Sequence, residues 1–328
     1  MKVVITGSAG FVGSNLVEEC LRREWDVVGV DNLSTGMKEM ADPMRFINLP
    51  GRYTFVQKDI NETEYLTDIL KAHQTEFVFH MAALPRVQFS TDFPIESNVN
   101  NICGTLSVLQ AAEKAGVRRV IYSASSSMYG GEKIPFPTNE NTPAHPRSNY
   151  ALQKYTGVEY CRLYSELYGL DTVSLIYFNL FGKYQRSNSS YATEIPAFFE
   201  AGIKGKSCRI DGDGGQSRDF CHVDNVVQAN ILAAECKDFL GGEKFNIACG
   251  ETHSVLEVYE IVKKLLAIDL LKHHEPPRLG DPRKSHADIS KAHTILGYEP
   301  LVDFDEEMRN TARWWLAGCP IEIKGDAQ

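Results

Sequence analysis

The chain has 328 residues, 43% of them hydrophobic, with a formal net charge of −9 and no basic block, which excludes nucleic-acid binding through an electrostatic footprint. Its eight cysteines, scattered from Cys20 to Cys319, form no C-x-x-C pair; this excludes a cysteine-held metal site and suits reduced thiols in a cytosolic protein. No apolar run reaches the roughly eighteen residues of a membrane span, and the N-terminus enters a strand at once, so neither a membrane partner nor a cleaved signal is expected.

The first fourteen residues read MKVVITGSAGFVGS. Val3, Val4 and Ile5 are the β-branched run of a strand buried on both faces. Phe11, Val12, Leu16, Val17 and Leu21 then recur at helical intervals. Gly7, Gly10 and Gly13 therefore sit at a strand-to-helix junction. Gly7 permits the tight turn, Gly10 keeps side-chain bulk away from a diphosphate, and Gly13 lets helix and strand pack closely. The helix N-terminus offers free N–H groups and a partial positive charge to that anion. Val27-Val28-Gly29-Val30 is the next buried strand, ended by Asp31, eighteen residues past Gly13. A carboxylate there accepts both hydroxyls of an adenosine ribose and repels a 2′-phosphate, so the expected cofactor is NAD rather than NADP.

Strand and helix signals keep alternating. After a polar loop from Asn32 to Gly36 and an irregular stretch from Asp42 to Pro50, Tyr53 to Val56 is a third strand, followed by Asp59-Ile60. Glu64 to Lys71 reads as a helix, Phe77 to Phe79 as a strand running into His80-Met81-Ala82-Ala83-Leu84, and Ser97 to Ala115 as a helix. Arg119 to Ala124 is a fifth strand leading into Ser125-Ser126-Ser127; Tyr150 to Tyr168 is a long helix and Thr172 to Tyr177 a sixth strand. This order predicts an α/β Rossmann fold, a doubly wound parallel sheet with right-handed crossovers. Ligands of such sheets lie beyond the carboxyl ends of the strands, where Gly7, Asp31, Asp59, Ala82, Ser125 and Asn179 all fall.

After Asn179 the alternation breaks. Lys183 to Ala192 is a polar, aromatic loop, Ile195 to Gly202 a helix, and Arg209 to Arg218 a hairpin candidate. Val223 to Glu235 and Val255 to Leu266 are helices around a short strand, Phe245 to Ile247; Pro276 to Arg283 is a loop and Ile289 to Leu296 a short helix. The expected division is a dinucleotide-binding domain over residues 1–180 and a smaller α/β substrate lobe over 181–328, with interleaving segments.

Tyr150 and Lys154 lie at i and i+4 of one predicted helix and share a face. A tyrosine with its usual pKa of about 10 is a poor base at neutral pH. A nearby lysine cation and the positive nicotinamide of an oxidised cofactor favour the phenolate, which a general base requires. The preceding strand delivers Ser125, twenty-five residues before Tyr150, whose hydroxyl can bond the same substrate oxygen.

These segments resemble the extended short-chain dehydrogenase/reductases, and among them the UDP-hexose 4-epimerases, over nearly the whole chain. TGSAGFVGS at 6–14 is similar to the family's cofactor loop, DNLSTG at 31–36 and Asp59-Ile60 to its adenosine contacts, and HMAAL at 80–84 to its nicotinamide-side strand end. SSSMYG at 125–130, the Tyr150/Lys154 pair, YFNLFG at 177–182, RDFCHVDN at 218–225 and RLGD at 278–281 follow in order. The resemblance implies NAD contacts from Gly7, Gly10, Phe11, Val12, Gly13, Asp31, Asn32, Leu33, Ser34, Thr35, Gly36, Asp59, Ile60, Met81, Ala82, Ala83, Asn101, Tyr150, Lys154 and Phe178. It implies UDP-sugar contacts from Val87, Ser125, Ser126, Ser127, Asn179, Arg209, Arg218, Arg278, Asp281 and Ser285, with Arg218 and Arg278 on the diphosphate. It implies that Tyr150 takes the proton of the sugar 4-hydroxyl while C4 gives hydride to a tightly held NAD. Lys154 lowers the tyrosine pKa and Ser125 orients the 4-oxygen. The family's dimers imply a homodimer formed through the helices at 100–115 and 150–168.

Two positions narrow the substrate. The related 4,6-dehydratases carry an Asp-Glu pair where this chain has Ser126-Ser127, so elimination lacks its acid and base. Ser285 stands at the position resembling a gatekeeper, where a small residue leaves room for a 2-acetamido group. The expected reaction is UDP-N-acetylglucosamine/UDP-N-acetylgalactosamine interconversion, with plain UDP-hexoses as further substrates. Ile176 departs from the arginine usual before Tyr-Phe-Asn. Pro85-Arg86 adds charge beside the sugar, which opens the alternative of a UDP-glucuronate or UDP-N-acetylhexosaminuronate epimerase with Arg86 or Lys183 on the carboxylate. A simple alcohol dehydrogenase and, in a different class, a non-catalytic NAD-sensing protein are the remaining readings; the Tyr/Lys pair speaks against the last.

Overall fold

The computed structural model describes residues 1–85, 87–131, 134–187, 193–277 and 282–317. The first half runs β1 (Lys2–Thr6), α1 (Phe11–Arg22), β2 (Asp26–Asp31), α2 (Lys38–Ala41), β3 (Arg52–Gln57), α3 (Thr63–His73), β4 (Phe77–His80), α4 (Val87–Asp92), α5 (Pro94–Asn98), α6 (Gly104–Ala115), β5 (Arg119–Ser125), α7 (Asn149–Tyr168) and β6 (Asp171–Tyr177). The second half runs β7 (Leu180–Phe181), α8 (Glu194–Ile203), β8 (Cys208–Asp211), β9 (Ser217–Arg218), β10 (Cys221–His222), α9 (Val223–Glu235), β11 (Glu243–Ile247), β12 (His253–Ser254), α10 (Val255–Leu266), β13 (Lys272–Glu275), α11 (Ser290–Leu296) and α12 (Phe304–Leu316).

Seven strands form one parallel sheet in the order β11-β6-β5-β4-β1-β2-β3. Alternate residues of β1 serve its two faces. Val3 and Ile5 join Leu16 and Val17 of α1 and Val226 and Ala229 of α9. Val4 joins Leu66 of α3, Val108 and Leu109 of α6, and Val158 of α7. Both faces are covered, which is why these strands are apolar without alternation. A third apolar cluster lies outside the sheet, where Phe198 and Phe199 of α8 meet Val258 and Val262 of α10 and Phe304, Met308 and Ala312 of α12.

The strand order reverses between β1 and β4, and the crevice beyond their carboxyl ends is the ligand position of a doubly wound sheet. The turns there are stitched together: Gly7 N donates to Val30 O at 2.8 Å and Met81 N to Thr6 O at 3.1 Å.

Two expectations need correction, and one element is added. Residues 209–218 form no hairpin: β8 pairs in parallel with β13, and β9 pairs antiparallel with β12. The glycines and aspartates here serve an open loop instead; Asp213 accepts from Gly215 N, and Gly212 and Gly214 take positive φ. The helix expected from Ser97 onward begins at Pro94 and is interrupted by a π-helical turn over Val99–Cys103. Helix α12 was not foreseen, although Asp303 caps it by accepting from Glu306 N at 2.8 Å and its inner face carries Phe304, Met308 and Ala312.

Candidate active site

The glycine loop is built for close approach. A Cβ on Gly7, whose φ is +69°, would lie 2.6 Å from Ala82 N, and one on Gly13 would collide with the Gly7 carbonyl. Only Gly7 O, at 3.1 Å, lies near the Cβ position of Gly10, so this residue keeps an open surface at the start of α1. Gly10 is the helix N-cap, and no side chain caps the helix there. A short, uncapped helix start beside an open glycine fits a dinucleotide diphosphate. Phe11 and Val12 form the half-buried first turn. Asp31, 8% exposed, ends β2; its two oxygens accept from Leu33 N at 2.8 Å and Ala9 N at 3.1 Å. Burial raises its pKa, and these two N–H donors pull it back down. Asn32 donates to Asp59 at 2.8 Å, so the 31–36 loop and the Asp59-Ile60 corner are one unit. Ser34 and Thr35 are exposed, Leu33 and Gly36 half-buried, and a Cβ on Gly36 would crowd Asp31. Met81, Ala82 and Ala83 line the other side of the crevice, half-buried. The residues present thus fit NAD.

The residues expected to carry the chemistry meet at the end of β5. Ser123 and Ser125 are two apart on one strand and share a face. Ser148 caps α7 by accepting from Ala151 N at 3.1 Å, and Tyr150 N donates to the Ser90 hydroxyl at 3.0 Å. Tyr150 is half-buried with the Ser125 hydroxyl acting on its phenol, and that hydroxyl meets the one of Ser127 at 3.0 Å. Burial pushes Tyr150 up to about 12, with the Ser125 hydroxyl pulling the other way. Lys154 is 4% exposed, and its Nζ donates to Ser123 O at 2.6 Å and Ser123 Oγ at 3.3 Å. Burial pulls this lysine down to about 7, so it is a weakened cation in the protein's own field.

Among the residues expected to meet the sugar, Asn179 donates to Ser285 Oγ and to Asp219 O, both at 3.1 Å. Asp219 is fully buried; its carboxylate accepts from Cys249, Gly250 and Ala287 N–H groups, and its own N–H donates to Ser285 O at 2.8 Å. Arg218 is 4% exposed and donates to Pro282 O at 2.6 Å, so it is no surface arginine. Arg209 is exposed and donates to Asp211 at 2.8 Å. It borders a cleft of about 250 Å³ whose walls include Phe198, Lys204, Gln216 and Val255. Phe178 is buried, its ring 6.4 Å from that of Tyr129. Ser126 opens a single turn of tight helix over Ser126–Tyr129, and Val87 starts α4, half-exposed. Ile176 is fully buried within β6. Arg86, Arg278 and Asp281 lie outside the described residues.

One expected cofactor contact is otherwise engaged. Asn101 accepts from Leu84 N at 2.8 Å and donates to Leu84 O at 3.2 Å and to Gln153 Oε1 at 2.8 Å. Sequence reading missed Ser123, Ser90 and Gln153. Ser123 was findable from the two-residue strand period; Ser90 and Gln153 meet their partners only through tertiary contact. Among the described residues no group of three or more His, Cys, Asp or Glu could hold a metal.

The family described as the NAD dependent epimerase/dehydratase family matches residues 3–248. A UDP-glucose 4-epimerase from Mycolicibacterium smegmatis is 34% identical over 315 residues, covering 96% of this chain and 98% of its own. A solved UDP-N-acetylglucosamine 4-epimerase from Methanobrevibacter ruminantium M1, in complex with UDP-N-acetylmuramic acid, has a TM-score of 0.88 at 36% identity, covering 97% of this chain and 98% of its own. A UDP-glucuronic acid 4-epimerase from Bacillus cereus, in complex with UDP-glucuronic acid and NAD, has a TM-score of 0.87 at 29% identity, covering 97% and 99%.

Proposed function

The chain belongs to the NAD dependent epimerase/dehydratase family, as an NAD-using enzyme of its UDP-sugar 4-epimerase group, and from that premise we propose that it interconverts UDP-N-acetylglucosamine and UDP-N-acetylgalactosamine. The observation that carries the sugar choice is Ser285, a small residue whose hydroxyl is held 3.1 Å from Asn179. A short side chain drawn toward Asn179 leaves volume for a 2-acetamido group.

In this reading Gly7, Gly10, Gly13, Asp31 and the 81–83 strand end hold the dinucleotide. A dinucleotide held there would supply the hydride acceptor and donor for C4 of the sugar. Tyr150 removes the proton of the 4-hydroxyl and gives it back after the 4-keto sugar turns over. Ser125, beside the phenol, orients the 4-oxygen, and Ser127 supports Ser125. Ser126 and Ser127 provide no carboxyl group to drive loss of water, which favours epimerisation over dehydration. Arg218 and Arg278 are assigned to the diphosphate and Arg209 to the nucleotide end. The uronate alternative draws on Arg86 or Lys183; Arg86 lies outside the described residues, and the Lys183 ammonium is committed to Glu18 at 3.0 Å.

Two further expectations stand as proposals. A homodimer through α6 and α7 is supported by exposed Val99, Leu152, Leu167 and Tyr168. Among the described residues no helix is long and apolar enough to cross a membrane, and the described cysteines are free, which supports a cytoplasmic setting.

The test is a panel of UDP-hexoses, UDP-N-acetylhexosamines and UDP-hexuronic acids with product identification. Epimerised N-acetylhexosamine is expected, and Ser285→Tyr should reduce kcat/KM for acetylated sugars at least tenfold more than for plain hexoses. Turnover of uronic acids alone would overturn the sugar assignment; steady NADH release would overturn epimerisation.

A further inference from the structure

One buried side chain on the catalytic helix is used neither by substrate nor by cofactor in the reading above. Gln153 lies three residues after Tyr150 and one before Lys154, and is 3% exposed. Both ends of its amide are engaged. Nε2 donates to Ser97 Oγ at 2.9 Å, and Oε1 accepts from Asn101 Nδ2 at 2.8 Å. Ser97 and Asn101 are themselves 0% and 2% exposed.

These partners belong to an irregular element. Ser97 sits in α5, and Asn101 in the π-helical turn over Val99–Cys103 that precedes α6. Such turns cost regular hydrogen bonding and recur at functional positions. Here the turn lets Asn101 face inward, where its amide brackets Leu84 from both backbone sides, accepting from N at 2.8 Å and donating to O at 3.2 Å. Leu84 closes the 81–84 segment that follows β4. A continuous buried chain, Ser97–Gln153–Asn101–Leu84, therefore joins the helix that carries the phenol to the strand end assigned to the nicotinamide.

We infer that Gln153 is a positioning residue that sets the rotation and height of α7, and so of Tyr150, against the 81–84 segment. A helix face can turn or slide on an apolar contact at little cost, because dispersion is non-directional. Two hydrogen bonds to one planar amide are directional and are expensive to break when buried. Hydride transfer at C4 and proton transfer at O4 must be aligned together, and a displacement of about 1 Å can cost on the order of a hundredfold in rate. Ser148 and Ser90 hold the start of α7, Lys154 Nζ ties it to Ser123 of β5, and Cys161 O and Ser165 meet Thr172 of β6 farther along; the Gln153 amide ties it to the π-helical turn and, through Asn101, to Leu84.

The inference rests on the epimerase reading, and its test separates the two. Gln153→Leu and Ser97→Ala are compared with the wild-type holoenzyme on the UDP-sugar that it turns over, unlabelled and with deuterium at C4. Expected for Gln153→Leu is a ten- to hundredfold fall in kcat, KM within about twofold, unchanged bound NAD and a larger deuterium isotope effect on kcat. Ser97→Ala, which deletes one of the two bonds and disturbs little volume, should show the same pattern at severalfold, and it decides the matter if Gln153→Leu does not fold. Wild-type kcat in the folded variants, or a loss that follows bound NAD with an unchanged isotope effect, overturns the inference. A wild-type chain that epimerises no UDP-sugar overturns the functional reading itself.

Discussion

Tyr150 and Lys154 are neighbours on one helix face, yet each is shifted against its expected task. The phenol is raised to about 12 and the lysine lowered to about 7, both by burial. The chain's own groups therefore leave the phenol protonated at neutral pH; in the proposed mechanism the acidification would come from the positive ring of bound NAD. Tyr150→Phe should retain NAD and fold while lowering kcat about 10²- to 10⁴-fold, the range of general acid–base catalysis; kcat and the absorbance of bound cofactor check this. Lys154 also makes a stability prediction. Its folded pKa lies below its ordinary value of 10.5, so between pH 7 and that value the unfolded chain binds more protons. Stability of the cofactor-free protein should then rise with pH, by on the order of 2 kcal/mol from pH 7 to pH 9. Lys154→Met should flatten that slope in urea unfolding at the two pH values.

At the scale of elements, the seventh strand depends on one buried ion pair. Arg119, 1% exposed at the start of β5, donates to Asp171 at the start of β6 at 2.6 Å. The same guanidinium donates to Ala233 O at 2.6 Å, to Cys236 O at 2.9 Å and to Asp238 O. Asp171 in turn accepts from Leu240 N at 2.9 Å and Gly241 N at 3.0 Å. The pair thus clamps the connection from α9 into β11, which brings a strand from residues 243–247 to the edge of a sheet begun at residue 2. Arg119→Met leaves a carboxylate and several carbonyls buried without their donor, and should cost about 3–5 kcal/mol in urea unfolding. The kcat of molecules that remain folded should stay near wild type, since no residue of the proposed site touches Arg119.

At the scale of the whole molecule, several of the exposed apolar residues lie where a second copy is proposed to dock. Leu152 is 51% exposed, Leu167 68% and Tyr168 60%, all on α7, and Val99 is 45% exposed just before α6. Light scattering coupled to gel filtration should report twice the 36.7 kDa chain mass, and Leu152→Glu with Leu167→Glu should halve it. A monomeric wild type would remove the dimer proposal.

Much of this architecture was legible in the chain itself, because it rests on local rules. β-branched runs such as Val3 to Ile5, helical periodicity such as Leu16, Val17 and Leu21, and glycines at 7, 10 and 13 each declare their conformation within a few residues. So did Asp31 at its strand end and the i, i+4 spacing of Tyr150 and Lys154, since strand and helix geometry alone place them. What only the tertiary structure decided depends on partners far away in sequence. Asp219 gathers Cys249, Gly250 and Ala287, β8 passes over its neighbours to pair with β13, and Gln153 meets Ser97 and Asn101. Local pattern carries no signal for such pairings. Protonation belongs to the same class: whether a lysine acidifies its neighbour depends on how much water packing removes and on which carbonyl its ammonium meets, and here that is Ser123.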